Sequence, residues 1–387
     1  MPLSCCGPGR SLHPRDDFSD GSRTSPRDIR VTVACRGGVT SGARVTTPQA
    51  RGVSIWWFAF GYFACYVPYA ALTKALADGL VGFARVPSLA LLPLSTLASM
   101  VGMMAFITGA GWWRYATLHT VAGVTVRGPG RWTFFSGLGT AAVVVTTTLA
   151  YTFGPSVSIV LMMLLLRGGV LVLAPIVDAL SGRRVRFASW VALGLSLLSL
   201  VVTFTARASF ALTTLALVDV AVYLAAYFVR LRLMSRLAKS DDPEASRRYF
   251  IEEQMVATPA VVVALVVFAL VGPPAVSGPL RAGFFGLGHP ALWALTALVG
   301  LFSQGTGIFG GLILLDRREN TFCVPVNRAS SMLAGPVATL SLYAFVHAPP
   351  PASRELVAAG LLVLAIVALS APEVLKVRGR VEARGAR

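Results

Sequence analysis

Two arginines stand where a charge is costly. Arg167 lies in the apolar run Pro155 to Leu180, PSVSIVLMMLLLRGGVLVLAPIVDAL, and Arg328 lies in the run Phe322 to Val346. Each is followed eight residues later by a proline, Pro175 and Pro336. Ionised groups at membrane depth are expensive, and they mark functional sites by default. A guanidinium suits a carboxylate or a phosphate, because its planar fork donates two parallel hydrogen bonds. The competing reading is structural, with each arginine held by backbone carbonyls or by an acid on a neighbouring helix. A recurring position favours binding, since purely structural charges need not recur. Pro175 and Pro336 are expected to break their helices and free carbonyls beside a cavity. Gly168 and Gly169 leave room for a ligand or another backbone beside Arg167.

Other residues could complete such a pocket. Tyr62 and Tyr66, and likewise Tyr223 and Tyr227, are four apart and share a helix face. Tyr66 and Tyr227 are taken as pocket residues, with helix packing as an equal alternative. Thr146, Thr147 and Thr148 form a polar patch, although hydroxyls inside a span commonly bond their own carbonyls. Gln304 is a candidate cavity group. Asp219 is read as the carboxylate well inside a span, either a proton carrier or a counter-ion to an arginine. Glu252 and Glu253 are placed in a first helical turn, favoured there by the macrodipole. Asp178 is expected at the interface. Lys74 and Asp78 are expected to form an i,i+4 pair, with a gate as the alternative. Gly305, Gly307 and Gly310 match a dinucleotide fingerprint, but they stand in an apolar run outside any βαβ context. Close helix packing is therefore the better reading.

No nucleophile elbow, zinc-protease or phosphate-loop pattern is present, so the chain is not expected to be an enzyme. Five cysteines, at 5, 6, 35, 65 and 323, have no metal or disulfide spacing, and no cofactor or metal is expected.

The elements that must carry these residues follow from composition. Of 387 residues, 55% are apolar and 13% charged, with mean hydropathy +0.70. Soluble domains carry about 25% charged residues. Ten apolar segments between Val53 and Leu375 are long enough, or nearly so, to cross a bilayer. The fold class is an all-α polytopic membrane protein of ten transmembrane helices. The net charge of +17 comes mainly from short connections and the two ends, as orientation in a membrane requires, so nucleic acid is not a partner. One set of connections holds Arg114, Arg127, Arg131, Arg183, Arg184, Arg186, Arg230, Arg232, Arg236, Lys239, Arg247, Arg248, Arg317 and Arg318. The other set holds Arg85, Arg207, Arg281 and Arg354. Both termini are therefore expected in the cytoplasm. Residues 1–52 are polar, lack a signal-peptide core and read as a disordered cytoplasmic tail. Part of that tail is expected to be untranslated if the start codon is misassigned. Residues 272–290 read as an outer connection, touching the interface through Phe284 and Phe285 and too rich in Pro and Gly for a span.

The arginine offset, 328 − 167 = 161, also carries Tyr62, Ala64 and Tyr66 onto Tyr223, Ala225 and Tyr227, and Gly139 onto Gly300. Residues 53–206 and 207–376 thus read as two five-helix repeats, followed by a short tail, 377–387. Five is odd, so the second repeat enters the membrane the opposite way up. Ten spans in two inverted halves, from Val53 to about Lys376, resemble the drug/metabolite transporter superfamily, with EamA-type permeases as the nearest likeness. The resemblance rests on topology and the repeat. It implies a central cavity lined by helices 1–4 and 6–9, with helices 5 and 10 peripheral. It also implies secondary transport across the cytoplasmic membrane by alternating access, with a small, anionic metabolite as substrate. The partners are then that substrate, the bilayer and a coupling proton, with a homodimer as an open alternative. Proton-coupled export of amino acids or drugs, and a non-transporting scaffold, stand as the other readings.

Overall fold

The structure is a computed structural model. It describes residues 54–121, 123–150, 159–204, 213–240, 242, 244–347, 350–351 and 353–385. The expected tail 1–52 lies outside them. Eleven α-helices follow in order: α1 (Ile55–Asp78), α2 (Ser88–Gly109), α3 (Arg131–Ala150), α4 (Ile159–Leu180), α5 (Phe187–Phe204), α6 (Thr214–Leu237), α7 (Ala245–Val271), α8 (Pro274–Phe285), α9 (Pro290–Leu314), α10 (Asn320–Val346) and α11 (Ser353–Gly385). Among the described residues, seven helices are long and apolar enough to cross a membrane: α1, α2, α6, α7, α9, α10 and the first part of α11. The chain is an all-α polytopic membrane protein in architecture.

Local chemistry sets the ends. The Ser54 hydroxyl accepts from the Trp56 N–H and opens α1, and Gly79, with φ of 73°, closes it. His289 Nδ1 accepts from the Ala291 N–H, and Pro290 takes the first helical position of α9, where no N–H is needed. Prolines inside α1, α2, α4, α7, α10 and α11 do not stop those helices. In a membrane bundle, neighbouring groups re-satisfy the carbonyls that such prolines free.

The packing follows a pattern. α9 lies against α1 and α2, while α3 lies against α6 and α7. α10 lies against α1, and α4 against α6. α5 packs on α11, α4 on α10 and α2 on α7. Glycines allow the closest approaches. A Cβ on Gly300 would stand 2.2 Å from the Ser95 carbonyl oxygen of α2, and one on Gly137 would stand 2.8 Å from the Glu253 carbonyl oxygen of α7.

One end of the bundle gathers the connection between α2 and α3, tied to α7 through Glu252 and Arg247, and the connections after α4, α6 and α9, which bond to one another. Arg183 donates to the carbonyls of Arg317, Arg318, Ser235 and Lys239 at 3.0 to 3.4 Å. Lys239, 8% exposed, donates to the Arg318 carbonyl and to Asn320 Oδ1. The opposite end is held mainly by apolar contacts among Leu76, Leu91, Leu287, Leu292 and their neighbours.

The structure corrects several expectations. α7 starts at Ala245, so Glu252 and Glu253 lie beyond its first turn and the macrodipole does not explain them. Glu252 instead accepts from the backbone and hydroxyl of Thr117, the Gly130 N–H and the Thr133 hydroxyl. Glu253 forms a buried ion pair with Arg230 at 2.8 Å and accepts from Ser136 and Thr140. Arg230 therefore belongs inside α6 rather than in a connection. Asp178 is fully buried, not interfacial. It accepts from the backbone and side chains of Asn320 and Thr321, capping α10 from another helix. Residues 274–285 form a twelve-residue helix packed on α2 and α7, well short of a span. Between α2 and α3, Thr117–Val121 and Val124–Gly128 pair as an antiparallel hairpin, β1 and β2.

Candidate functional site

Arg328 lies eight residues into α10 and Arg167 eight residues into α4, roughly 12 Å along each helix axis. Arg328 donates to the Tyr227 hydroxyl at 2.7 Å and to the Tyr223 hydroxyl at 3.3 Å. Its guanidinium stands 5.2 Å from the centre of the Tyr227 ring. Its Nε is buried without a hydrogen-bond partner. Tyr62 of α1 lies within electrostatic reach of the same group, and its ring meets Tyr66 edge-on at 5.6 Å. Three helices thus bring Tyr223 and Tyr227 of α6, Tyr62 of α1 and Arg328 of α10 to one place, with Tyr66 edge-on against Tyr62. Arg167 lies within electrostatic reach of Tyr223.

Arg167 also faces a cavity of about 290 Å³ between α1, α4, α10 and α11. Lys74, Pro336, Thr339 and Glu355 line it further out. The cavity runs from mid-helix to the end where α1 finishes and α11 begins. Pro336 borders it and Pro175 does not, and contrary to the expected breaks α10 and α4 run through both prolines. Among the described residues, no hydrogen bond or ion pair engages Arg167, and no carboxylate lies within ion-pair distance of either Arg167 or Arg328. The fold does neutralise a buried arginine elsewhere, at Arg230, with Glu253.

The remaining candidates divide. Gln304, 5% exposed, accepts from Ser99 and donates to Met103, bridging α9 to α2 away from the arginines. Thr146 and Thr147 donate to carbonyls of their own helix, the competing reading of that patch; the Thr148 side chain lies outside the described residues. Tyr66 keeps ring contacts with Tyr62 and Tyr69. Asp219 shares the buried face of α6 with Tyr223 and Tyr227, one and two turns away. Its Oδ2 is buried without a hydrogen-bond partner, and no arginine pairs with it among the described residues. Gly168 and Gly169 do not open onto a ligand. Cβ atoms there would meet Leu200 at 3.1 Å and Leu224 at 2.5 Å, so both glycines serve packing. Gly305 and Gly310 likewise stand against Cys65 and Tyr62 of α1. Lys74 and Asp78 form no ion pair, and Lys74 faces the cavity instead.

Sequence reasoning did not find Glu355 as a cavity residue, and offered Lys74 only as the alternative of a gate. Near span ends such residues read as interfacial, and only the packing of α1 and α11 on α10 shows their common cavity. Among the described residues, no group of three or more His, Cys, Asp or Glu could hold a metal.

No family model matches the chain, and no curated protein matches it. One solved structure, described only as "Crystal structure of protein", overlays with a TM-score of 0.49 at 16% identity, covering 81% of this chain and 95% of the other. Nothing is built on a likeness of that size.

Proposed function

We propose that the chain is a secondary transporter that moves a small anion, bearing a carboxylate or a phosphate, across the cytoplasmic membrane by alternating access. One observation carries this reading: two arginines at mid-helix have no carboxylate partner among the described residues. A buried cation without a counter-ion is costly. A substrate anion in the cavity would supply that counter-ion to Arg167, and the buried, unpartnered Nε of Arg328, which does not line the cavity in this state, would engage it as the helices rearrange. Tyr223 and Tyr227 hold Arg328 without neutralising it, which leaves its charge for the ligand.

The helix packing supports ten spans in two inverted five-helix repeats, of the drug/metabolite transporter kind. Exchanging α1 to α5 with α6, α7, α9, α10 and α11 turns the α1–α9 contact into α6–α3, and α2–α9 into α7–α3. With the basic connections placed in the cytoplasm, the inner end is the one tied by Arg183 and Lys239. The cavity then opens outward past Lys74, as an outward-facing state of an alternating-access cycle would.

The test is counterflow in proteoliposomes, with labelled phosphate and labelled succinate as probes. The wild type shows saturable counterflow of at least one of them. Arg167→Gln and Arg328→Gln lose it by tenfold or more while melting as the wild type does. Undiminished transport in both variants, or loss of folding in both, would make the arginines structural. A second reading, proton-coupled export, is favoured by the unpartnered Asp219 oxygen. It requires flux driven by a pH gradient and lost in Asp219→Asn.

A further inference from the structure

A second cavity, of about 270 Å³, lies at the basic end of the bundle, where the starts of α3 and α7 meet the end of α6. Arg131, Trp132, Leu237, Arg248 and Tyr249 line it, with Glu252 as its floor. Arg131 stacks its guanidinium over the Trp132 ring at 5.2 Å. Arg248 reaches the cavity with a side chain that is 45% exposed, paired at 3.1 Å with an equally accessible Asp242. Glu252 does not neutralise them. Its two oxygens are taken by four donors from Thr117, Gly130 and Thr133, which fix the cavity floor.

We propose that this cavity binds the phosphate of an anionic phospholipid headgroup from the cytoplasmic leaflet. Two guanidinium groups at one mouth suit the oxygens of a phosphate. Basic pockets between spans on the cytoplasmic side are where such headgroups are held. The volume is below the ~300–1,000 Å³ that encloses a whole drug-sized ligand, so the headgroup enters and the acyl chains stay outside. Below the cavity mouth, α3 presents Phe135 and Leu138, 56% and 41% exposed, as an apolar track for those chains. Trp132, half exposed at the rim, has the amphipathic ring that favours headgroup depth. Free phosphate shares the recognised chemistry, but it would not use the track.

The test uses the detergent-purified full chain and its thermal unfolding. The probes are short-chain phosphatidylglycerol, short-chain phosphatidylcholine and inorganic phosphate. Phosphatidylglycerol is expected to raise the melting temperature more than phosphatidylcholine does. Arg131→Gln with Arg248→Gln should weaken its apparent affinity by roughly tenfold or more, the scale of a lost charge-assisted hydrogen bond. Arg131→Lys with Arg248→Lys, which keeps the charges and folds without strain at these exposed positions, should retain most of the effect. Stabilisation by inorganic phosphate that equals that by phosphatidylglycerol and is lost in the Arg131→Gln with Arg248→Gln pair would assign the cavity to a soluble anion and overturn the lipid proposal. Equal stabilisation by the two lipids, or an effect untouched by the glutamine pair, would overturn the site itself. Neither result depends on transport, because Arg167 and Arg328 are left intact.

Discussion

Arginines in this chain are of two kinds, and a carboxylate tells them apart. Arg230 has Glu253, and removing one partner leaves the other buried and unpaired, at a cost of about 3–5 kcal/mol. Glu253→Gln is therefore expected to lower the melting temperature sharply, whereas Arg230→Met with Glu253→Leu recovers most of the loss. Among the described residues, Arg328 has hydroxyl partners in place of a carboxylate. Tyr227→Phe removes its 2.7 Å hydrogen bond and is expected to weaken anion affinity roughly tenfold or more, the scale of one hydrogen bond to a charge, with little change in melting. Glu319, at the head of α10, is pushed up by burial, but bonds from Arg186, its own backbone and Ser189 outweigh that and hold the carboxyl below its usual range. A depressed carboxyl contributes stability above its unfolded pKa and loses it as pH falls through the folded one. The melting-temperature gap between wild type and Glu319→Gln should thus be constant at neutral pH and shrink below the ordinary carboxylate range. The apolar runs made Arg167 and Arg328 legible as residues out of place. Arg230, Glu253 and Asp178 were misread because they stand near segment ends, where sequence cannot separate a loop charge from a buried pair.

At the scale of elements, the ten apolar segments correspond to ten of the helices, since long hydrophobic runs leave little choice of structure. Two elements escaped. The β1–β2 hairpin is two five-residue strands in a basic connection, and α8 is a twelve-residue helix whose Pro and Gly content reads as a loop. α8 depends on packing against α2 and α7 more than on local pattern, whereas the largely exposed hairpin is anchored through Thr117 to Glu252. Glycine packing was legible in kind at Gly305 and Gly310, where the absence of any strand excluded a dinucleotide turn. It was not legible at Gly168 and Gly169, whose neighbours, Leu200 and Leu224, lie on other helices. Gly300→Ala places a Cβ 2.2 Å from the Ser95 carbonyl oxygen. Overpacking of that kind costs about 1–3 kcal/mol, and the variant should melt earlier, with α9 displaced from α2. Asp178→Ala leaves the Asn320 and Thr321 donors of α10 without their acceptor. Its loss should be at least that of an N-cap, about 1–2 kcal/mol, measured by the same thermal unfolding.

At the scale of the whole molecule, the two ends are built differently. One is held by cationic side chains bonding to backbone carbonyls, and the other by leucines beside a cavity that leads to Arg167. Polar ties of this kind can be exchanged for others as helices rock, so the tied end is where closure would be made and broken. The measurement that tests the central claim most directly is thermal unfolding of the detergent-purified chain against inorganic phosphate, succinate, glycine and tetraphenylphosphonium. The account expects an anion to raise the melting temperature of the wild type and of Arg131→Gln with Arg248→Gln, and to lose that effect in Arg167→Gln. Stabilisation by the cation alone, or anion stabilisation that survives Arg167→Gln, would contradict it.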